Sequence, residues 1–136
     1  MSKNKIHFKL ITHEKIVFEG EIDELYTQGI EGSFGILVDH TPFMSALAIG
    51  VTKIINDGKA QFFATMGGIL QFTNNQAVIL TEEAENGTNI DVTIAKAEKE
   101  KLEARFGSEE YNKDVQNSNK ALAMALAKFK AAMQEN

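Results

Sequence analysis

From residue 5 the chain alternates. Lys5-Ile-His-Phe-Lys-Leu-Ile-Thr puts Ile6, Phe8 and Leu10 on one side, the period-two pattern of a half-buried strand. Ile16-Val-Phe and Ile22 to Tyr26 read as further short strands around Glu19-Gly20. Val51 to Ile55 and Gln61 to Thr65 flank Asn56-Asp57-Gly58, whose residues accept positive φ, so a tight hairpin is predicted there. Ile69 to Phe72 and Ala77 to Leu80 flank Asn74-Asn75 and predict a second hairpin. Gly67-Gly68 reads as a strand-linking turn, and Pro42 as a loop or strand-start residue where a missing N–H costs nothing. Roughly eight to ten short strands at regular spacing predict a β-sandwich or flattened barrel.

Near residue 88 the period changes. Nine of the ten glycines precede that point, and nine of the fifteen alanines follow it, mixed with Lys, Glu, Leu and Met. Glycine serves turns between strands, whereas alanine with those partners favours helix. Asp91 is a good N-cap, and no Gly or Pro interrupts Val92 to Phe106. Gly107-Ser-Glu-Glu then ends the first helix, and a second starts within 109–114 and runs towards the C-terminus. Its apolar residues Val115, Leu122, Leu126, Phe129 and Met133 form a narrow seam suited to packing on one other helix. Ile94, Ala95, Leu102 and Phe106 are what the first helix offers in return. The expected division is a β body over 1–87 and a two-helix antiparallel hairpin over 88–136. So few large apolar side chains poorly offset the ordering of about forty residues. The hairpin is therefore expected to depend on docking, to the body or to a partner.

Charge and chemistry narrow the function. Residues 1–88 carry six Lys and no Arg against eleven Asp/Glu, while residues 89–136 balance seven Lys and Arg105 against eight acids. An acidic body lacks the basic footprint that nucleic acid requires. The last segment is mildly basic through Lys113, Lys120, Lys128 and Lys130, a pattern that an ordinary solvated helix face also produces. The absence of cysteine removes disulfides, thiolate chemistry and Cys-ligated zinc. The N-terminal residues show no apolar leader core, and no window reaches the length of a membrane span. His7, His13 and His40 have no metal-site spacing, so no metal is expected. No serine sits in a nucleophile elbow, there is no phosphate-binding glycine loop, and Asp39-His40 lacks a nucleophile to serve. No catalytic residues and no cofactor are expected.

One segment says more. Glu31-Gly-Ser-Phe-Gly-Ile-Leu-Val-Asp-His-Thr-Pro42, followed by Phe43 to Gly50 and Gly67-Gly68-Ile69-Leu70, resembles the epsilon subunits of bacterial F-type ATP synthases. In that family E-G-x-x-G-I-L-x-x-H-x-P precedes a leucine- and glycine-bearing stretch and a G-G-[IV/F]-[LV] strand. The likeness runs over essentially the whole chain, the helical tail included. It implies a ten-stranded flattened β-sandwich bound to the gamma subunit and the c-ring, a non-catalytic rotor part that links ion flow to ATP synthesis. It also implies a peripheral place on the cytoplasmic side of the bacterial plasma membrane and a monomer when isolated. By position, Glu31, Gly32 and Ser33 resemble the c-ring contact, and His40 lies near the rotor-facing surface. By residue type alone Glu31 is equally an ordinary solvated carboxylate.

The family's tail lies folded on the sandwich or extends into the head and blocks hydrolysis. Lys120, Lys128 and Lys130 then resemble the basic arm that faces acidic surface on the catalytic beta (and alpha) subunits. Some members bind ATP through [IL]-D-x-x-R-A. Here Ile90, Asp91 and Ala95 match, but Ile94 stands where the arginine belongs. An isoleucine cannot replace a planar multi-donor phosphate ligand, so ATP binding is expected to be absent or in about the millimolar range. The rival expectation is a free-standing β-sandwich ligand-binding module with a helical dimerisation tail.

Overall fold

The computed structural model describes residues 4–104 and 115–134, the side chains of 115–119 excepted. Eight strands form among these residues: β1 (Ile6–Ile11), β2 (Ile16–Ile22), β3 (Glu24–Gly29), β4 (Gly32–Leu37), β5 (Phe43–Asn56), β6 (Lys59–Thr73), β7 (Gln76–Leu80) and β8 (Ala84–Asn86). A 3-10 turn at Gly87–Asn89 leads to helices α1 (Val92–Ala104) and α2 (Val115–Ala132). The strands run in the order β2-β1-β7-β6-β5-β3-β4, with β8 also paired to β6. Only the β1–β7 pairing among these is parallel.

Both predicted hairpins form. Asn56 pairs with Lys59 across Asp57 (φ 52°) and Gly58 (φ 78°), and Thr73 pairs with Gln76 across Asn74 (φ 50°) and Asn75 (φ 57°). Two central residues with positive φ match the right-handed twist of the flanking strands, which is why such loops dominate tight hairpins.

Three short-range expectations fail. Glu19-Gly20 lies inside β2, and the strand expected over Ile22 to Tyr26 is broken at Asp23, between β2 and β3. There the Asp23 N–H donates to the Ile55 carbonyl, and its carboxylate takes the Lys5 ammonium at 2.8 Å and the Asp57 N–H at 2.8 Å. Gly67-Gly68 is not a turn between strands but a kink inside β6, with φ at 72° and 107°. Phe63 and Thr65 are buried before the kink, and Leu70 and Phe72 after it, so the inward positions change from odd to even.

The kink makes the sandwich. Residues 63–65 of β6 pair with β8, whereas 69–73 pair with β7. β5 follows β6 throughout and changes parity at the same level, with Leu47 inward on one side and Ile54 on the other. One layer thus contains β2, β1, β7 and the ends of β6 and β5 that meet them. The other contains β8, the remaining halves of β6 and β5, β3 and β4. Counting each long strand on both sides of its kink accounts for the ten strands expected, where continuous hydrogen bonding leaves eight. Between the layers lies one core, from Ile6, Phe8 and Leu10 on β1 to Leu25 on β3 and Ile36 on β4. Burying such side chains contributes about 1.5–3 kcal/mol each before ordering costs.

The tail sits on the outer face of the second layer. Met124, Ala127 and Ala131 of α2 pack with Val51, Phe62 and Ala64, joined by Ile49, Met66 and Ile90. α1 lies against α2, with the Lys99 ammonium 4.8 Å above the Phe129 ring. The expected contact of helix on helix is therefore present through Phe129, but Leu126 lines a cavity with Ile49 and Val51 of the sheet and Met133 stays 45% exposed, so the seam is not the helix–helix stripe expected. A second stripe, small and rich in alanine, seats the helix on the sheet. The expected seam members Phe106 and Val115, the break at 107–110 and the second helix start within 109–114 fall outside the described backbone or side chains.

Candidate functional site

Glu31 occupies the exposed tip of the β3–β4 hairpin, where Gly29 pairs with Gly32. Gly32 has φ 140° and open space where a Cβ would stand, so backbone is bare at this point. Ser33 follows, exposed, at the start of β4. The neighbouring Ile30 is 68% exposed, and its N–H reaches the Ala46 carbonyl at 3.1 Å, tying the tip to β5.

His40 belongs to the loop after the other end of β4. Its ring is half-buried, with Nδ1 2.7 Å from the Thr41 carbonyl oxygen. A chain of ring contacts joins it to β4: His40 to Phe43 at 5.9 Å, and Phe43 to Phe34 at 5.1 Å. Phe72 closes on the other side at 5.9 Å. Asp39 stands at φ 68°. Its N–H and carboxylate clasp the Asn75 side chain at 2.6 and 2.8 Å, which holds the loop to the β6–β7 hairpin. Glu31, Gly32 and Ser33 thus form one small group, with His40 set beyond it.

A larger feature escapes residue-by-residue reading. Ala46 pairs with Ile69, Ile69 with Leu80, Leu80 with Ile11 and Ile11 with Ile16, so five strands place one apolar row across the outer face of the first layer. At the usual strand spacing that row is about 19 Å long. Ile69, Leu80 and Ile16 remain 52, 52 and 53% exposed, and Met44 in the next row 64%. The sequence signal was the outward half of each alternation, isoleucine or leucine where a solvated sheet would place polar residues. The rows beyond turn polar, ending in His7, Lys9, Glu19 and Glu21. His7 Nε2 lies 2.9 Å from Glu19 and Nδ1 3.4 Å from Glu21. Hydrogen bonds to Glu19 and then Glu21 hold the imidazole above its ordinary pKa.

On the opposite face the three predicted lysines separate. Lys128 is half-buried and reaches Glu83 at 3.2 Å, whereas Lys120 and Lys130 are exposed. Asp91 caps α1: its Oδ1 accepts the Thr93 N–H at 2.8 Å and the Ile94 N–H at 3.2 Å. Ala95 is buried, Ile90 packs under α2, and Ile94 is 66% exposed. That set is a helix start and a hydrophobic anchor. Among the described residues no group of three or more His, Asp or Glu is arranged to hold a metal ion, and no helix is long and apolar enough to cross a membrane.

Residues 5–87 match the family model described as ATP synthase, Delta/Epsilon chain, beta-sandwich domain. The ATP synthase epsilon chain of Desulforamulus reducens is 37% identical over 123 residues, covering 90% of this chain and 93% of that one. That of Syntrophomonas wolfei subsp. wolfei is 36% identical over 135 residues, 97% of each. In fold, a chain of the Euglena gracilis mitochondrial ATP synthase OSCP/F1/c-ring assembly in rotational state 1 superposes with a TM-score of 0.79 at 21% identity, covering 95% of this chain and 81% of that one.

Proposed function

The chain belongs to the ATP synthase delta/epsilon chain family, and from that membership we propose that it is a non-catalytic central-stalk subunit that couples c-ring rotation to the catalytic head of an F-type ATP synthase. The observation that carries this reading is the division of labour between the two outer faces. One is covered by the chain's own tail, while the other keeps an apolar row open across five strands. An exposed apolar band rimmed by charge is the kind of surface that another protein covers.

The open face is assigned to the gamma subunit, with His40 near its edge. The Glu31-Gly32-Ser33 tip is assigned to the polar loops of the c-ring, because a hairpin tip without a Cβ at Gly32 lets a partner backbone approach. The body, residues 1–87, stays with the rotor, and the chain sits peripherally on the cytoplasmic side of a bacterial plasma membrane. The tail, residues 88–136, brakes hydrolysis when it extends, presenting Lys120, Lys128 and Lys130 to the catalytic beta and alpha subunits. Its docked form rests on a small stripe of alanines and methionine, and such elements are drawn from the low-stability end of a fold. Ile90, Asp91 and Ala95 carry no nucleotide role in this reading, since Asp91 is spent on the helix cap and Ile94 offers no donor for phosphate.

The decisive experiment pulls the chain down with gamma and c-ring and assays the complex with and without the tail. Truncation after residue 88 is expected to leave assembly and coupling intact and to raise ATPase activity. Unchanged hydrolysis, under conditions that favour the extended tail, counts against the brake, and failure to bind gamma counts against the rotor role.

A further inference from the structure

The Lys128–Glu83 pair is the one ion pair that joins α2 to the sandwich among the described residues, and although the Glu83 side chain is 47% exposed, its backbone is tied down at its carbonyl. Glu83 lies on the segment between β7 and β8, opposite the Gly67-Gly68 kink. Its carbonyl accepts the Met66 N–H at 2.9 Å and the Thr81 hydroxyl at 3.3 Å, and Thr81 is itself buried and bound through its N–H to the Ile11 carbonyl at 2.9 Å. The backbone beneath the carboxylate is thereby locked to both layers. Met66, its hydrogen-bond partner, packs in the same cluster as Met124 and Ala127 of α2. The sheet therefore presents Glu83 at a set height under the helix, and Lys128, only 24% exposed in its side chain, meets it at 3.2 Å. Lys120 and Lys130, exposed on the same helix, have no such partner among the described residues.

We propose that Glu83 is an internal stand-in for the acidic surface of a partner subunit: it latches the docked tail through Lys128, and the tail extends by exchanging Glu83 for that surface. This rests on the braking role assigned above and adds to it the residue pair that sets the balance. The physical consequence is an asymmetry. Either end of the pair can be neutralised, and both losses loosen docking. Only the lysine is needed again in the extended state. Glu83→Gln therefore frees a tail that still carries its cation, whereas Lys128→Gln frees a tail that has lost it.

Two measurements test this. In the isolated full-length chain, hydrogen exchange of the peptides spanning 120–134 is expected to quicken about two- to five-fold in both Glu83→Gln and Lys128→Gln, the range a partly exposed ion pair supports. Raising salt from about 0.05 M to about 0.5 M is expected to bring the unmodified chain towards the variants and to leave the variants unmoved. The charge swap Glu83→Lys with Lys128→Glu restores slow exchange. In a reconstituted ATPase the singles diverge: Glu83→Gln lowers hydrolysis below that of the unmodified complex, Lys128→Gln raises it, and the swap raises it despite restored docking. Unchanged exchange in either single variant overturns the latch. Quickened exchange with both singles moving hydrolysis the same way overturns the exchange of partners. Insensitivity of hydrolysis even to loss of residues 89–136 refutes the brake instead, and the isolated-chain exchange then decides the latch alone.

Discussion

A Cβ at Gly68 would stand 2.0 Å from the Leu80 carbonyl oxygen, in a backbone at φ 107° that side chains rarely adopt. Two penalties coincide there, a clash with an immovable ladder atom and backbone strain. Gly68→Ala is therefore expected to destabilise the body by about 2–4 kcal/mol. Gly58, at φ 78° in the β5–β6 turn, meets nothing within 4 Å, so Gly58→Ala should cost only about 1 kcal/mol. Urea denaturation of both variants checks the difference, and equal costs would show that φ alone governs both sites. The same contrast explains why Gly67-Gly68 misleads a sequence reading. The pair does supply positive φ, as a turn would, yet the close partner it serves is Leu80 on β7, twelve residues on. Asp91 shows the converse case, a residue whose local role as a cap is fully stated by its immediate neighbours.

Helix α2 is held where Gly87 lets it descend. A Cβ at Gly87 would lie 2.2 Å from the Ala131 carbonyl oxygen and 3.1 Å from that of Phe62, so a larger residue forces helix and strand apart. β6 is fastened by ladder bonds on both sides, whereas α2 is seated on the sheet by side chains only, chiefly Met124, Ala127 and Ala131 with the Lys128–Glu83 pair, so the helix is the element that yields. Gly87→Val should speed exchange of the α2 amides by about tenfold or more and leave those of β5 and β6 unchanged. Loss of protection in the strands as well would mean that tail and body melt together. What was legible at this scale follows the range of the interaction. Two hairpins, the switch from strands to helices and the Asp91 cap were written in adjacent residues. The break at Asp23 was not, because Lys5, Ile55 and Asp57 enforce it from elsewhere in the chain. The sheet-facing stripe of α2 was hidden for a different reason: its members are mostly alanines, which a search for large apolar side chains passes over although small residues are what permits close approach. Of the candidate site, the Glu31 tip and the lysines are expected through family likeness alone, and Glu83 stood out in neither pattern nor likeness, because its pairing with Lys128 spans forty-five residues.

The whole molecule is a sandwich with one face used internally and one left open. The two are made by the same kink, which lets β5 and β6 contribute to both layers and turns their outer sides in opposite directions. Covering layer two with α2 leaves the Ala46, Ile69, Leu80, Ile11, Ile16 row as the broad apolar surface still facing solvent. A lysine at Ile69 or Leu80 removes nothing from the core, so Ile69→Lys and Leu80→Lys should change the stability of the isolated chain by no more than about 0.5 kcal/mol. Placed at the centre of a desolvated interface, the same charge should weaken binding to gamma on the order of a hundred-fold, a hot-spot-sized loss. Gln71→Lys, one row away and already polar, serves as the control and should bind within a few-fold of the unmodified chain. Calorimetric titration against gamma, with thermal melts of each variant alone, separates the two quantities. If Ile69→Lys and Leu80→Lys bind gamma as the unmodified chain does, the rotor docks elsewhere, and the open row needs a different partner to explain why five strands agree on it.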